Sequence, residues 1–182
     1  MCKVIAVVLL LQIFFGTNSF AQEGGHEVFH AHHKLGLMIG HTQVSEGVDE
    51  NGRKKWLALP SWSINYNYQF NKKWAIGLHS DIITETFKVE DHLNGENNTV
   101  IERSKPVATA IMASFKPGKH FNYLLGAGGE FASSANYFLI RVGLEYEYHL
   151  NHSWEFNACI ANDLKVNAYN SFTLGMGITK VF

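Results

Sequence analysis

Four histidines lie close together near the N-terminus of this 182-residue chain, in the stretch GGHEVFHAHHK. They are His26, His30, His32 and His33. Neutral imidazole is a ligand for Zn, Cu and Ni ions, and short histidine-rich tracts are a metal-binding composition. No cysteine or carboxylate completes a defined ligand set around them. Metal binding is one hypothesis for the tract and pH sensing is a second, while a solvated polar leader is the simplest interpretation.

A second group of ionisable residues recurs at alternate positions of several segments further along the chain. The group consists of His79, Asp81, Glu85, Glu130, Arg141, Glu145, Glu147 and Glu155, and Asp163 follows the same pattern. Alternate positions of a β-strand share one face, and buried carboxylates need partners. We therefore expect an acidic interior whose acids form a polar plug centred on Arg141. A narrow cation path or an internal metal site is the alternative.

Neighbouring histidine and serine residues do not form a catalytic arrangement. His79 and Ser80 are adjacent in a predicted strand, so their side chains point to opposite faces. His152 and Ser153 lie in a predicted tight turn, with no orienting acid beyond Glu155. The lipid A deacylase family spaces its histidine and serine two residues apart in one strand, ahead of a Ser-Asn pair, and the chain has no match to that pattern. We assign no catalytic residue, no cofactor and no enzymatic activity.

The elements that position these groups are β-strands, because apolar and other residues alternate from about residue 32 onwards. In WLALPSWSINYNYQF (residues 56–70), Trp62, Ile64 and Tyr66 share one face, while Ser63 and Asn65 lie on the other. The segment YFLIRVGLEYEY (residues 137–148) sets an apolar face against one that carries Arg141, Glu145 and Glu147. Eight such segments occur, which predicts eight strands.

The connections between the predicted strands are of two kinds. Three are tight turns around Lys72, Pro117 and Asn151, and the others are polar and mostly longer, including residues 45–55 and 90–103. Aromatic residues flank the tight turns, and we expect a boundary belt of Tyr68, Phe70, Trp74, Tyr146, Tyr148, Trp154 and Phe182. Short turns at one end, longer loops at the other and an aromatic belt are typical of an outer-membrane barrel. The loops could bind partners, although plain solvated loops are the simpler interpretation.

The N-terminal residues predict export. A short basic start and the apolar stretch from Val4 to Phe15 precede Ser19 and Ala21, which suit a signal-peptidase cleavage site. We expect a signal peptide over residues 1–21, a His-rich periplasmic leader over 22–33 and a barrel over 34–182. Cys159 is then the single remaining cysteine, so no internal disulfide forms. A formal net charge of −1 without a basic stripe argues against a nucleic-acid partner.

The C-terminal segment SFTLGMGITKVF resembles the signal that barrel assembly machinery recognises, through Phe172, Leu174, Met176, Ile178 and Phe182. Lys180 departs from this apolar face, although its ammonium group could snorkel to the boundary. In strand number, alternation of turns and loops and terminal phenylalanine, the chain resembles the OmpA-like and OmpX-like barrels. That resemblance implies insertion in outer-membrane lipid, with the assembly machinery as a partner. It implies little about activity, because such barrels serve as anchors, adhesion factors, pores and a few enzymes.

We therefore predict an all-β protein, an eight-stranded antiparallel up-and-down transmembrane β-barrel of the outer membrane, and a monomer. Its predicted role is structural or interaction-type, without catalysis. A second hypothesis is metal-ion handling or a narrow cation-permeable pore, using the histidine tract and an acidic lumen. A third is a soluble periplasmic lipocalin-like binder, because periodicity alone does not say which face points inwards.

Overall fold

The computed structural model describes residues 29–48, 51, 53–91 and 99–182, which contain ten β-strands. The strands are β1 (His32–Val48), β2 (Lys54–Gln69), β3 (Trp74–Ile83), β4 (Thr86–Asp91), β5 (Thr99–Ser104), β6 (Val107–Phe115), β7 (Phe121–Phe131), β8 (Asn136–Asn151), β9 (Trp154–Lys165) and β10 (Ser171–Val181). Within the described ranges, no helix is long and apolar enough to cross a bilayer. The predicted signal peptide, residues 1–21, lies outside them, as does the predicted leader up to residue 28. Strand β1 begins at His32, two residues before the predicted start of the barrel.

Eight of the strands close into a ring. Its order is β1, β2, β3, β6, β7, β8, β9 and β10, and each strand runs antiparallel to its neighbours. The ring closes where β10 pairs with β1, from Lys34 opposite Val181 to Val44 opposite Ser171. Closure removes the free sheet edges that an open sheet would expose. The prediction of an eight-stranded antiparallel barrel is confirmed.

Strands β4 and β5 form a hairpin outside this ring, inserted between β3 and β6. The hairpin touches the barrel wall where Val89 lies opposite Gly47 of β1. The sequence pattern predicts a polar loop over residues 90–103, and for the described part of that range, residues 90–91 and 99–103, this prediction is wrong because they belong to β4 and β5. Phe87 and Val89 alternate with the exposed Lys88 and bury their side chains, which is the pattern of a half-buried strand.

The two faces of the barrel wall differ in chemistry. Outward-pointing apolar side chains are exposed, for example Ile111 at 63%, Leu125 at 58% and Met176 at 56%. Alternate positions point inwards and bury polar or charged groups, among them Lys34 and Arg141. A soluble lipocalin-like barrel needs the reverse, an apolar cavity inside a polar wall. The structure therefore excludes that alternative.

The connections define two ends of the barrel. The turn end carries the short turns at residues 70–73, 116–120 and 152–153, and the loop end carries the β4–β5 hairpin and the other connections. Two of the short turns use the same chemistry. The side-chain oxygen of Asn71 accepts hydrogen bonds from the backbone amides of Lys73 and Trp74, both at 2.8 Å. Asn151 does the same for Ser153 and Trp154, both at 3.0 Å, and such turns favour asparagine because its side chain caps the backbone locally.

An apolar cluster occupies the barrel interior at the loop end. The cluster consists of Val44, Leu59, Ile83, Phe87, Val89, Tyr137 and Tyr169, with Leu57, Ile101, Ala135 and Ala168 packed against it. Phe87 and Val89 come from the hairpin and the other buried members from the barrel or its connections, so the cluster fixes the hairpin onto the barrel.

Inward-facing glycines leave room for the larger interior side chains and allow neighbouring strands to come close. A Cβ atom on Gly128 would lie 1.9 Å from the carbonyl oxygen of Thr109 and 2.6 Å from the Cα of Ala110. Both atoms belong to the backbone of β6, so they cannot move without disturbing the pairing of β6 with β7.

The substitution Gly128→Ala should lower the free energy of unfolding by about 1–3 kcal/mol, the usual cost of overpacking a close contact. Gly118→Ala is the matched control, because a Cβ there would meet no atom within 4 Å. Urea unfolding of the detergent-folded proteins would measure the difference. Equal stability of the two variants would contradict the close approach at Gly128.

Candidate functional site in the barrel interior

Three networks of charged and polar side chains cross the described interior, one at each level of the barrel. The turn-end network is Lys34, Lys116, Glu145, Glu147 and Glu155. The central network is Asp81, Arg141 and Asp163. The loop-end network is Arg103, Glu130, Lys165 and Tyr169.

In the turn-end network, Lys34 is the central cation. Its Nζ donates to both oxygens of Glu155 at 2.8 and 3.1 Å and to those of Glu147 at 3.1 and 3.3 Å. Lys116 contacts Glu147 from another wall of the barrel. Glu145 accepts a bond of 3.3 Å from the side-chain amide of Asn122. Lys34 lies on β1 and its two acids on β8 and β9, so the network joins separate walls.

In the central network, Arg141 spans the lumen. Its Nε and Nη2 donate to the two carboxylate oxygens of Asp163 at 2.6 and 2.8 Å, a bidentate pair that fits the planar guanidinium. Nη1 of the same side chain contacts Asp81. Asp163 lies on β9 and Asp81 on β3, which stand on opposite sides of the eight-stranded ring. Arg141 therefore ties the two walls together and blocks the middle of the lumen.

In the loop-end network, Glu130 is the shared carboxylate. It contacts Arg103 at 2.5 Å, Lys165 at 3.1 Å and the hydroxyl of Tyr169. Burial first, and then the Glu130 carboxylate, raise the pKa of the Tyr169 hydroxyl above its usual value of 10, so this group stays a protonated donor. Lys165 also donates to the hydroxyl of Ser171 at 2.6 Å.

Arg103 connects the β4–β5 hairpin to this network. Its side chain is fully buried, and Nη1 donates to the carbonyl of Ala135 at 2.5 Å and to the hydroxyl of Ser134 at 3.2 Å. The guanidinium carbon lies 4.7 Å from the ring centre of Tyr137, a cation–π contact. One arginine thus fastens the hairpin across the loop end of the barrel.

Of the predicted interior residues, His79, Asp81, Glu130, Arg141, Glu145, Glu147 and Glu155 all face the lumen. Glu85 does not. It is exposed in the bend between β3 and β4, because the alternation of β3 stops at Ile83. The expectation that Glu85 joins the interior cluster is therefore corrected.

Most of the interior cations were not predicted from the sequence. Lys34, Arg103, Lys116 and Lys165 join Arg141, so five cations meet the six carboxylates of the three networks. The expected acidic lumen centred on Arg141 is therefore close to neutral in the described interior. Lys34 could have been found from its alternation with Leu35 and Leu37, but nothing in the sequence pattern distinguishes Arg103 from the neighbouring loop charges.

His79 and Ser80, which are adjacent in one strand, point to opposite faces of the barrel wall. Nε2 of His79 is 3.0 Å from the side-chain oxygen of Asn67 inside the barrel. The Ser80 hydroxyl is 3.1 Å from that of Thr109, on the opposite face. A base and a nucleophile held this way do not act on one substrate atom.

The described part of the histidine tract extends along the start of β1. Nδ1 of His32 donates to the carbonyl of His30 at 3.0 Å, and Nδ1 of His33 is 2.7 Å from the Tyr66 hydroxyl. His26 lies outside the described residues. Among the residues that are described, no group of three or more His, Cys, Asp or Glu side chains is arranged to hold a metal ion.

The predicted boundary aromatics lie around the turn end. Tyr68 is near His33 with ring centres 5.0 Å apart, and the ring of His120 is stacked with those of Tyr146 and Tyr148, at centre distances of 5.4 and 6.5 Å. The ammonium group of Lys180 lies 5.0 Å from the ring centre of Trp154. The remaining three, Phe70, Trp74 and Phe182, are exposed.

Several solved outer-membrane barrels are similar to this chain. OprG from Pseudomonas aeruginosa has a TM-score of 0.52 at 14% identity, covering 84% of this chain and 97% of its own. Ail of Yersinia pestis, in complex with the heparin analogue sucrose octasulfate, has a TM-score of 0.47 at 16% identity, covering 82% and 99%. Outer membrane protein W of E. coli has a TM-score of 0.46 at 10% identity, covering 85% and 100%. No protein-family model and no curated protein sequence matches the chain.

The likeness to OprG shows the same fold. Three features explain physically why the barrel lies in a membrane. They are the exposed apolar wall, the charged interior and the closed ring. Hydrocarbon accepts a sheet only if every strand edge is paired, and it favours apolar side chains on the outside. The chain is an integral β-barrel protein of the outer membrane.

The loop-end network should depend strongly on Glu130. The substitution Glu130→Gln would leave Arg103 and Lys165 buried beside a neutral group, so we expect a loss of about 3–5 kcal/mol in the free energy of unfolding. Glu102→Gln is the control, because Glu102 is exposed on β5, the hairpin strand that carries Arg103, and should change stability by less than about 0.5 kcal/mol. Urea titration followed by tryptophan fluorescence would measure both. A small effect at Glu130 would show that the network does not hold the hairpin.

Proposed function

We propose that this protein is a sealed, non-catalytic outer-membrane barrel whose loop end serves as an interaction surface. Outer-membrane barrels place their short turns in the periplasm and their longer loops outside the cell. On that orientation the β4–β5 hairpin lies at the extracellular end. The observation that carries the proposal is the interior itself, which is crossed by paired side chains at three levels and covered by the hairpin at the loop end.

The interior supports a plug more than a path for ions. Two small cavities within it measure about 20 and 10 Å³, and a space of that size holds about one water molecule. Five cations, held by the carboxylates of the three networks, also lie across the route that a permeating cation would take. An ion would have to break buried pairs such as Arg141 with Asp163 to pass.

The loop end offers a surface on which a partner can bind. A groove of about 500 Å³ lies between the hairpin and the first two strands of the barrel. Its floor contains Leu57, Leu59 and Phe87, and the exposed Lys55 and Lys88 lie at its edge. Because Arg103 and the apolar cluster hold the hairpin, this surface is rigid, and rigid loops on a barrel commonly carry binding.

Strand β10 supports two further parts of the proposal. Its outward Leu174, Met176 and Ile178 are exposed and precede the terminal Phe182, as in the segment that barrel assembly machinery recognises. Its complete pairing with β1 and β9 closes the eight-stranded ring, so the ring itself has no strand edge for a second copy, which favours a monomer.

Conductance across a planar lipid bilayer tests the sealed barrel. The wild-type protein should add no current to that of the bare bilayer. The substitution Arg141→Ala removes the side chain that joins β9 to β3, so it should produce measurable ion steps. Lys88→Ala, an exposed residue on the hairpin, is the control of equal charge change and should remain silent. Cation-selective steps in the wild type would overturn the plug and favour the narrow pore.

Metal binding by the histidine tract is a second candidate role. Its support is the bond from His32 Nδ1 to the carbonyl of His30, which leaves Nε2 free, as in histidines that bind metals. The engagement of His33 by Tyr66 weighs against it.

Calorimetric titration of Zn²⁺, Cu²⁺ and Ni²⁺ into the detergent-folded protein tests the metal hypothesis. The control has His26, His30, His32 and His33 replaced by alanine. Affinity of about micromolar strength that is lost in the control would support a metal site, since three or four imidazoles suffice for such binding. No heat of binding in the wild type would leave the tract as a polar leader.

A further inference from the structure

The turn end of the barrel opens into a broad depression, which we call the vestibule. Its volume is about 670 Å³, and four lysines line it, Lys34, Lys72, Lys116 and Lys119. The floor is formed by Lys34 and Lys116 with the acids that they contact, so the vestibule sits directly below the turn-end network.

The vestibule carries a net positive charge. Its four ammonium groups face the three carboxylates of the turn-end network, Glu145, Glu147 and Glu155, which leaves a charge of +1 before any histidine is counted. Glu147 and Glu155 are buried at the floor, where Lys34 and Lys116 already hold them. The excess charge therefore belongs to the rim.

Lys72 and Lys119 supply that excess. They are exposed in the turns at residues 70–73 and 116–120, on adjacent hairpins of the ring. Within the described chain neither ammonium group has an ion-pair partner. Two unpaired cations at the edge of one concave surface raise the local concentration of anions.

Hydrogen bonds and ring stacking hold the wall beside these lysines in place. Nδ1 of His120 donates to the carbonyl of Glu147 at 3.0 Å, and its ring stacks on that of Tyr148. The backbone amide of Glu147 in turn donates to the carbonyl of His120 at 2.7 Å. The turn that carries Lys119 is thus tied to β8, so Lys119 is held beside the vestibule.

We propose that the vestibule is a binding site for a phosphate-bearing anion. Lysine binds phosphate as a point charge, and the space is large enough for a phosphate group together with the group it esterifies. The vestibule lies level with Phe70 and Trp74, which flank the turn that carries Lys72. Aromatic residues of that kind sit at the level of lipid headgroups, so the phosphate can belong to a periplasmic headgroup or to a soluble ester.

The vestibule lies at the opposite end of the barrel from the loop-end surface, and anion binding there does not require that the lumen be sealed. A cation that enters the lumen from this end, as the narrow-pore hypothesis requires, first meets the unpaired ammonium groups of Lys72 and Lys119.

Two probes, titrated calorimetrically into the full detergent-folded protein in phosphate-free buffer, test the site. One is pyrophosphate, which stands for soluble phosphates. The other is dihexanoyl phosphatidylglycerol below its micellar concentration, which stands for headgroups. The test variant carries Lys72→Gln and Lys119→Gln. The control carries Lys55→Gln and Lys88→Gln, two exposed lysines at the loop end that change the net charge equally. A shift in gel mobility between unheated and boiled samples verifies that each variant is folded.

We expect the test variant to bind at least about tenfold more weakly than the control, because two uncompensated ammonium groups are lost. Binding should also weaken with salt, since exposed charges are screened over about 8 Å at physiological ionic strength. Loss of pyrophosphate binding in the test variant alone supports the site with a soluble ligand. The same pattern with the lipid probe alone assigns it to headgroups. Absence of binding by both probes, or equal loss in both variants, overturns the proposal.

Discussion

The interaction on which this barrel most depends is the bridge that Arg141 makes across the lumen. A closed eight-stranded ring has an interior just wide enough for side chains, and here charged side chains cross that space at three levels, beside an apolar cluster at the loop end. A buried charge is stable only when it is paired. Arg141 meets this condition for Asp163 on one wall and Asp81 on the opposite wall. The same bond pattern that satisfies the charges also holds the two walls together.

The rest of the interior follows the same rule, with a different solution at each end. At the loop end, Glu130 collects Arg103, Lys165 and Tyr169, and an apolar cluster lies beside them. At the turn end, Lys34 joins the acids of two strands, and the surface below is basic. The two ends of the barrel therefore differ. The hairpin and the apolar cluster cover the loop end, whereas the turn end is basic and open. This asymmetry separates a surface suited to partners from a vestibule suited to anions.

The strands and turns were predictable to a large extent, because each depends on local sequence. Alternation in β8 separates the lumen-facing Arg141 and Glu145 from the outward Ile140 and Val142. The aromatic residues beside the tight turns were found from position alone. Glu85 was placed wrongly because alternation gives no warning of where a strand stops. Arg103 was missed because its segment contains charges of both signs, and burial of one of them depends on a partner in a distant strand.

By itself, then, the sequence determined that there are two chemically distinct faces, where the main strands run and that the chain closes as an eight-stranded barrel. Those features depend on residue order within each strand and on short turns. Only the tertiary structure decided which face points inwards, that the β4–β5 hairpin covers one end, and which acid meets which base. These outcomes depend on the stagger of non-adjacent strands, since Arg103 and Glu130 are 27 residues apart and Lys34 and Glu155 are 121 apart. Acid–base pairs across the ring form only when the ring closes, so the sequence of a single strand does not predict them.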